Sequence, residues 1–394
     1  MAEFGAVTCA GCALLCDDVT VQASDQGVRL WPECGLGARW FSEGMDRRSD
    51  AAATVDGREA DVEDALHRAA ELLRGARRPL VRGFDNATVE DARAAVAVAD
   101  HLGTMIGYGD IGYRDGEWPG APAIPLRGAS TATLGEIRDR SQVVVIWRED
   151  PETTHPRLLE RLRPRAGLQR TLVVVDEVDT PTTEHAGLRL RWPRERDLEA
   201  LTALHTLQRG LTAPASELAA PLGELLDLLQ AAPHVAFVYG AGLTAGHGGQ
   251  RRALALHELV RAVNHERHAV TLQLAGAPGL RSVEDVLAWQ SGYGGMVDFA
   301  GGHPELLTAT QPLEDADVTL LVEAGPGAVA EIAFGSRAAG PGVEVWIRTA
   351  PAGVEASGTM HRLDGVPLTL QAPLDGEAPT AAALLTRLLA QVRR

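Results

Sequence analysis

The sequence of 394 residues predicts an α/β protein of open, mostly parallel sheets, preceded by a small cysteine-rich head. Three observations predict it. Apolar runs such as SQVVVIW (141–147), RTLVVVDEV (170–178), HVAFVYGAGL (234–243), HAVTLQLAG (268–276) and DVTLLVEAG (317–325) lack polar alternation. Strands buried on both faces of a parallel sheet read this way. The second such run follows the first by about thirty residues, with HPRLLERL between them, which is the spacing of a βαβ unit. Finally, the chain's 4 cysteines are Cys9, Cys12, Cys16 and Cys34, all near its start.

The elements follow in order. DVEDALHRAAELL places Val62, Leu66, Ala69 and Leu73 on one helical face. RPLVRGF is a short strand. NATVEDARAAVAVADHLG is a helix with Thr88 as N-cap, Asp91 three residues on and Gly103 at its end. RERDLEALTALHTLQRG carries a leucine stripe at Leu198, Leu201, Leu204 and Leu207, VEVWIRTA is a further buried strand, and PTAAALLTRLLAQVRR closes the chain as a helix. Several strands end in glycine turns: YGAG at 239–242, LAGAPG at 274–279 and EAGPG at 323–327. In open α/β sheets, ligands bind outside the carboxyl ends of the strands.

Composition excludes several classes. The net charge is −16 and the chain has no lysine, so every basic residue is arginine. An acidic chain without a basic run lacks the positive surface that nucleic acid requires. Without lysine there is no Schiff-base chemistry and no Walker-type phosphate loop. The start, MAEFGAV, has no basic region followed by an apolar stretch, so no secretion signal is expected. The nearly uncharged run from Leu225 to Gln250 contains Asp227, Pro233, His234 and His247, and reads as helix, buried strand and glycine loop rather than a membrane span. A cytoplasmic protein with no membrane contact is expected. There, clustered cysteines bind metal or do redox work more often than they form disulfides.

The cysteine spacing is C-x2-C-x3-C followed by a distant fourth. Four thiolates suit an iron–sulfur cluster, and a tetrahedral zinc site is the competing reading. Zinc ribbons show two CxxC knuckles, and this chain has one. Reduced thiols without metal are the third reading. Asp17 and Asp18 read as turn and capping groups beside the cysteine loop, since adjacent residues point to different sides of the chain.

This head resembles the N-terminal cluster domain of the molybdopterin oxidoreductases. TLGEIRDRSQVVVIW…DPETTHPRLLERL, VLAWQSGYGGMVDFAGG and GVEASGTMHRLDGVPLTL together resemble the B subunit of formylmethanofuran dehydrogenase, nearest to its counterpart in the bacterial formyltransferase/hydrolase complex. The resemblance implies Rossmann-like open parallel sheets and one [4Fe–4S] cluster held by Cys9, Cys12, Cys16 and Cys34. Its implied partners are an amidohydrolase-like A subunit, a C subunit, plus a formyltransferase subunit, in tetrahydromethanopterin-linked conversion of formaldehyde to formate. In the dehydrogenases, the same polypeptide also carries tungsten or molybdenum on two pterin guanine dinucleotides and interconverts carbon dioxide and formate. By resemblance, Trp147, Pro151, His155, Trp289, Gln290, Gly292 and Tyr293 line the ancestral pterin crevice.

Departures from that pattern cluster at the redox centre. The loop that supplies the cysteine or selenocysteine ligand matches GYGDIGYRDGEWPG (107–120), which has neither, and its nearest equivalent is about Tyr113. A tyrosine oxygen is a hard ligand and a poor replacement for a soft thiolate. The histidine that follows the ligand in relatives is also missing. The glycine-x-asparagine-proline loop is Arg148, Glu149, Asp150 and Pro151 here, and its carboxylates would repel an anionic dinucleotide. The relatives' active-site arginine is replaced near Ala275, with loss of electrostatic help to a developing carboxylate. The expectation is therefore a non-redox structural subunit, without tungsten or molybdenum. An active carbon dioxide/formate-converting dehydrogenase subunit, or else a zinc-binding interaction protein, is the alternative. Expected regions are a head at 1–50, an α/β domain from 51–125 and 305–394, and an inserted α/β domain at 126–304.

Overall fold

The computed structural model describes residues 2–24, 27–46, 51–108, 128–307, 315–325, 328–337, 340, 342–374 and 376–394. Tyr113 and most of the loop 107–120 lie outside the described residues. The chain forms two compact units, Met1–Ile111 with Ala277–Arg394, and Gly112–Gly276. The return to the first unit thus falls at Ala277, earlier than the 305 expected from sequence. The reason is local: helix Leu280–Ser291 packs on helix Val89–Leu102, and strand Val297–Asp298 pairs with Met105–Ile106.

The second unit is built on five parallel strands in the order Leu188–Leu190, Thr171–Val175, Val143–Trp147, His234–Tyr239, His268–Gln273. The central strand VVVIW is at most 3% exposed at any residue. Burying such a side chain contributes roughly 1.5–3 kcal/mol, which is why the run carries no polar alternation. From the central strand the chain first winds outward through Thr171–Val175, then returns to the other side with His234–Tyr239. The switch point therefore lies between Val143–Trp147 and His234–Tyr239.

The first unit holds a nine-stranded sheet in the order Glu305–Leu306, Val297–Asp298, Met105–Ile106, Pro79–Gly83, Val318–Val322, Ile332–Gly335, Val345–Arg348, Ala53–Val55, Arg58–Glu59. Its five central strands are parallel. Here the chain runs from Pro79–Gly83 out to Met105–Ile106, then returns at Val318–Val322, so the switch point lies between Pro79–Gly83 and Val318–Val322. Helices Val62–Gly75, Val89–Leu102 and Ala381–Val392 pack together beside this sheet.

Helix Val89–Leu102 has the reciprocal cap expected from its sequence. Asp91 N–H donates to Thr88 Oγ1 at 3.1 Å, Thr88 N–H donates to Asp91 Oδ2 at 2.8 Å, and Gly103 ends the helix at φ +61°. Two expectations differ. HPRLLERL (155–162), expected as the helix of the βαβ unit, is helical only over Leu158–Arg161, because the residue before Pro156 is driven out of the α region; a separate turn, Pro151–Thr154, precedes it. In helix Asp197–Gln208, Leu201 and Leu204 are buried but Leu198 is 36% exposed.

The head consists of the antiparallel strands Ala2–Val7, Val19–Ser24 and Gly27–Trp31, followed by helix Gly35–Asp46. It is joined to the rest of its unit by Trp40 Nε1–H donating to the Ala352 carbonyl at 3.3 Å and by Thr8 N–H donating to Gln371 Oε1 at 2.9 Å. Among the described residues, no helix is long and apolar enough to cross a membrane.

Candidate functional site

The cysteine loop connects the first two strands. Cys9 N–H donates to the Cys16 carbonyl at 2.8 Å, and Leu15 N–H donates to the Cys12 carbonyl at 3.1 Å, which curls the segment into a knuckle. Cys34 sits at the start of helix Gly35–Asp46, where its carbonyl accepts from Ala38 N–H at 2.9 Å. Two glycines allow the knuckle to lie on that helix. A Cβ at Gly11 would fall 2.8 Å from Gly37 Cα, and a Cβ at Gly37 would fall 2.9 Å from Cys9 Sγ. None of the four cysteines forms a disulfide. Burial, helped by the neighbouring thiols, pushes Cys9 up to about 12, and Cys12 likewise to about 12. Both thiols feel the charge of Cys16 and Cys34. Among the described residues, no group of three or more histidine, cysteine, aspartate or glutamate side chains is arranged to hold a metal ion. The loop is backed by the turn after strand Gly358–His361, where Leu363 N–H donates to the Ala13 carbonyl at 3.1 Å. Arg362 pairs with Asp364 in that turn at 2.8 Å, and Arg348 pairs with buried Glu355 at 3.1 Å. Within GVEASGTMHRLDG, then, Glu355, Arg362 and Asp364 are hydrogen-bonded framework, while His361 meets Asp285 at 2.6 Å.

At the second unit's switch point, strand Val143–Trp147 ends in Arg148, whose φ is +55°. Its guanidinium turns inward: Nε–H donates to Asp197 Oδ2 at 2.9 Å and Nη2 to the Trp192 carbonyl at 2.8 Å. Trp147 Nε1–H and Trp192 Nε1–H donate to the same Asp197 carboxylate at 3.1 and 2.9 Å. Glu149 then points to the neighbouring glycine loop. Gly242 N–H donates to Glu149 Oε1 at 3.1 Å, and the Ala241 backbone also bonds the carboxylate. Burial raises the Glu149 pKa, and these backbone donors oppose the rise. A Cβ on Gly240 would lie 2.3 Å from Glu149 Oε1, so glycine is needed for the carboxylate to fit.

The first unit repeats this layout at its own switch point. Strand Pro79–Gly83 ends in Phe84 at φ +73°, and the next residue, Asp85, accepts from the N–H of Gly325 in the glycine loop after Val318–Val322. A Cβ on Gly325 would sit 3.0 Å from Asp85 Oδ2. Glu323, at the end of Val318–Val322, is 4% exposed and accepts from Ser336 Oγ at 3.1 Å and from Thr349 Oγ1. Burial, with the nearby Asp91 charge adding to it, pushes Glu323 up to about 7.

The residues expected to line a pterin crevice divide between the units. Trp147 is wholly buried and belongs to the Asp197 knot, with its ring 5.8 Å from Trp192. Pro151 is buried at the start of a short turn. His155 is 4% exposed, and burial pushes it down to about 4 against the opposing pull of the Ala275 backbone, so its ring is neutral. Its Nδ1 lies 3.0 Å from Thr154 Oγ1. In the first unit, Trp289 is 63% exposed beside His361, with ring centroids 5.3 Å apart, and Gln290 is exposed. Gly292 ends helix Leu280–Ser291 at φ +87°, and Tyr293 packs partly against the core. Asp85, Asp197 and Glu323 emerge only from the structure. The one signal for Asp85 in the sequence is the parallel between VRGFD and VIWRE, each a strand end leading to a carboxylate.

No protein-family model matches the chain. The chain is 27% identical over 408 residues to the B subunit of tungsten-containing formylmethanofuran dehydrogenase 2 of Methanocaldococcus jannaschii, covering 94% of this chain and 93% of that protein. It is 26% identical over 410 residues to the protein of the same name from Methanococcus maripaludis, covering 94% of each. Among solved structures, a chain of the formyltransferase/hydrolase complex of Methylorubrum extorquens, in complex with methylofuran, superposes with a TM-score of 0.71 at 26% identity. That match covers 87% of this chain and 99% of the other. Acetylene hydratase from Pelobacter acetylenicus shares the fold, with a TM-score of 0.62 at 11% identity, over 98% of this chain and 69% of that one.

Proposed function

We propose that this homologue of the formylmethanofuran dehydrogenase B subunit is a non-redox structural subunit of a formyltransferase/hydrolase complex in one-carbon metabolism. The observation that carries the reading is the thiol inventory. All 4 cysteines of the chain lie between residues 9 and 34, so none remains to ligate tungsten or molybdenum from the loop 107–120. The likeness of 87% of this chain to a chain of the Methylorubrum extorquens complex supports the setting. Catalysis of formyl transfer and hydrolysis then resides in an amidohydrolase-like A subunit, together with a formyltransferase and a C subunit. They act on formyl-tetrahydromethanopterin and release formate in the cytoplasm.

Cys9, Cys12, Cys16 and Cys34 would hold one [4Fe–4S] cluster, which when bound ties the knuckle to helix Gly35–Asp46 and can exchange an electron. One CxxC knuckle followed by a distant fourth cysteine favours a cubane over the paired knuckles of a zinc ribbon. The chain's own part is to seat the ligands: the close approach of Gly11 and Gly37 brings the knuckle against Cys34.

The test is purification through a tag on this chain from its native host. The expected result is co-purification of an amidohydrolase-like protein and a formyltransferase. The assembly should release formate from formyl-tetrahydromethanopterin, and the chain by itself should not reduce viologen dye with formate. Recovery of the chain without those partners, or dye reduction by it, contradicts the reading.

A further inference from the structure

We propose that Glu149 and Asp85 are internal stoppers, each filling its unit's switch-point anion cradle so that the chain refuses phosphate and pyrophosphate groups there. The inference deepens the non-redox reading and rests on it only in treating the cradles as unused.

The argument begins with topology. An open α/β sheet has one crevice that both halves of the winding leave free, outside the carboxyl ends of the strands at the switch point. The two units place theirs between Val143–Trp147 and His234–Tyr239, and between Pro79–Gly83 and Val318–Val322. In each crevice a glycine loop offers backbone N–H donors suited to an anion, Ala241 and Gly242 in the second unit and Gly325 in the first. In each, the second residue past one strand is a carboxylate, and it takes the N–H of the third residue past the partner strand: Glu149 takes Gly242, and Asp85 takes Gly325. Both carboxylates follow a residue held at positive φ, Arg148 at +55° and Phe84 at +73°. A left-handed backbone at a non-glycine residue is strained and persists only where the surroundings impose it. In the second unit, the buried pairing of Arg148 with Asp197 imposes it.

The consequence is competitive. A phosphate oxygen would need the N–H groups that the carboxylate already holds, and it would meet a like charge at hydrogen-bond distance. A side chain at 240 would displace the Glu149 carboxylate from its place against the loop. The same device in both units argues against an accident of one loop.

The test uses the full chain and inorganic pyrophosphate as probe, followed by calorimetry at low and high salt. Wild type should show no saturable binding at millimolar pyrophosphate. Glu149→Ala and Asp85→Ala should each gain one salt-sensitive site, with affinity raised at least tenfold, and the double variant should gain two. Glu149→Gln and Asp85→Asn keep the shape and an accepting oxygen, so they serve if the alanine variants do not fold, and should gain weaker binding. Wild-type binding as tight as that of the variants overturns the proposal, as does folded variant protein that binds none. Neither result bears on whether the complex carries tungsten or molybdenum, so this inference can fail while the non-redox reading stands.

Discussion

Glu323 shows how one buried carboxyl sets a pH response. Its ordinary value of 4.5 is pushed up to about 7, first by burial and then by the charge of Asp91. A group whose pKa is raised on folding stabilises the fold fully below its unfolded pKa, and that contribution is lost as pH rises through the folded value. The shift corresponds to about 3 kcal/mol, lost between about pH 5 and about pH 8. Glu323→Gln should flatten this part of the stability profile, as measured by denaturant unfolding at a series of pH values. A variant whose stability falls as steeply as wild type over that window would show that Glu323 is ionised in the fold. Nothing in the sequence marks this residue, because EAG reads as an ordinary strand end until Ser336 and Thr349 are brought around it.

The element scale is where the sequence is most legible. Caps and buried strands are local: the Thr88–Asp91 box, the Gly103 stop and the VVVIW run each depend on a few adjacent residues. The failures are those in which distant residues decide. The family resemblance puts Trp147 in the pterin crevice, but Asp197 draws its indole N–H inward. That knot ties strand Val143–Trp147, Trp192 and helix Asp197–Gln208 to one carboxylate that is 0% exposed. Removing one partner of a buried charged pair costs about 3–5 kcal/mol, since the other charge stays buried. Asp197→Ala should therefore destabilise the protein by about that amount in chemical denaturation and free Arg148 from its left-handed turn. A loss below about 1 kcal/mol, the range of an exposed pair, would contradict the knot.

At the scale of the whole molecule, the chain is similar over 94% of its length to formylmethanofuran dehydrogenase B subunits, while its thiols are confined to the head. The fold class is legible because parallel strands buried on both faces announce themselves by composition. The cysteine set is legible because spacing is written in sequence. The two carboxylate stoppers are not, since each joins loops that only sheet topology brings together: Asp85 with Gly325, and Glu149 with Gly242. The most direct test of the account is the metal and pterin content of the complex purified anaerobically from its native host. The account predicts about four irons for each copy of this chain, with tungsten and molybdenum at background and no pterin dinucleotide. Stoichiometric tungsten or molybdenum, accompanied by pterin dinucleotide, would contradict it.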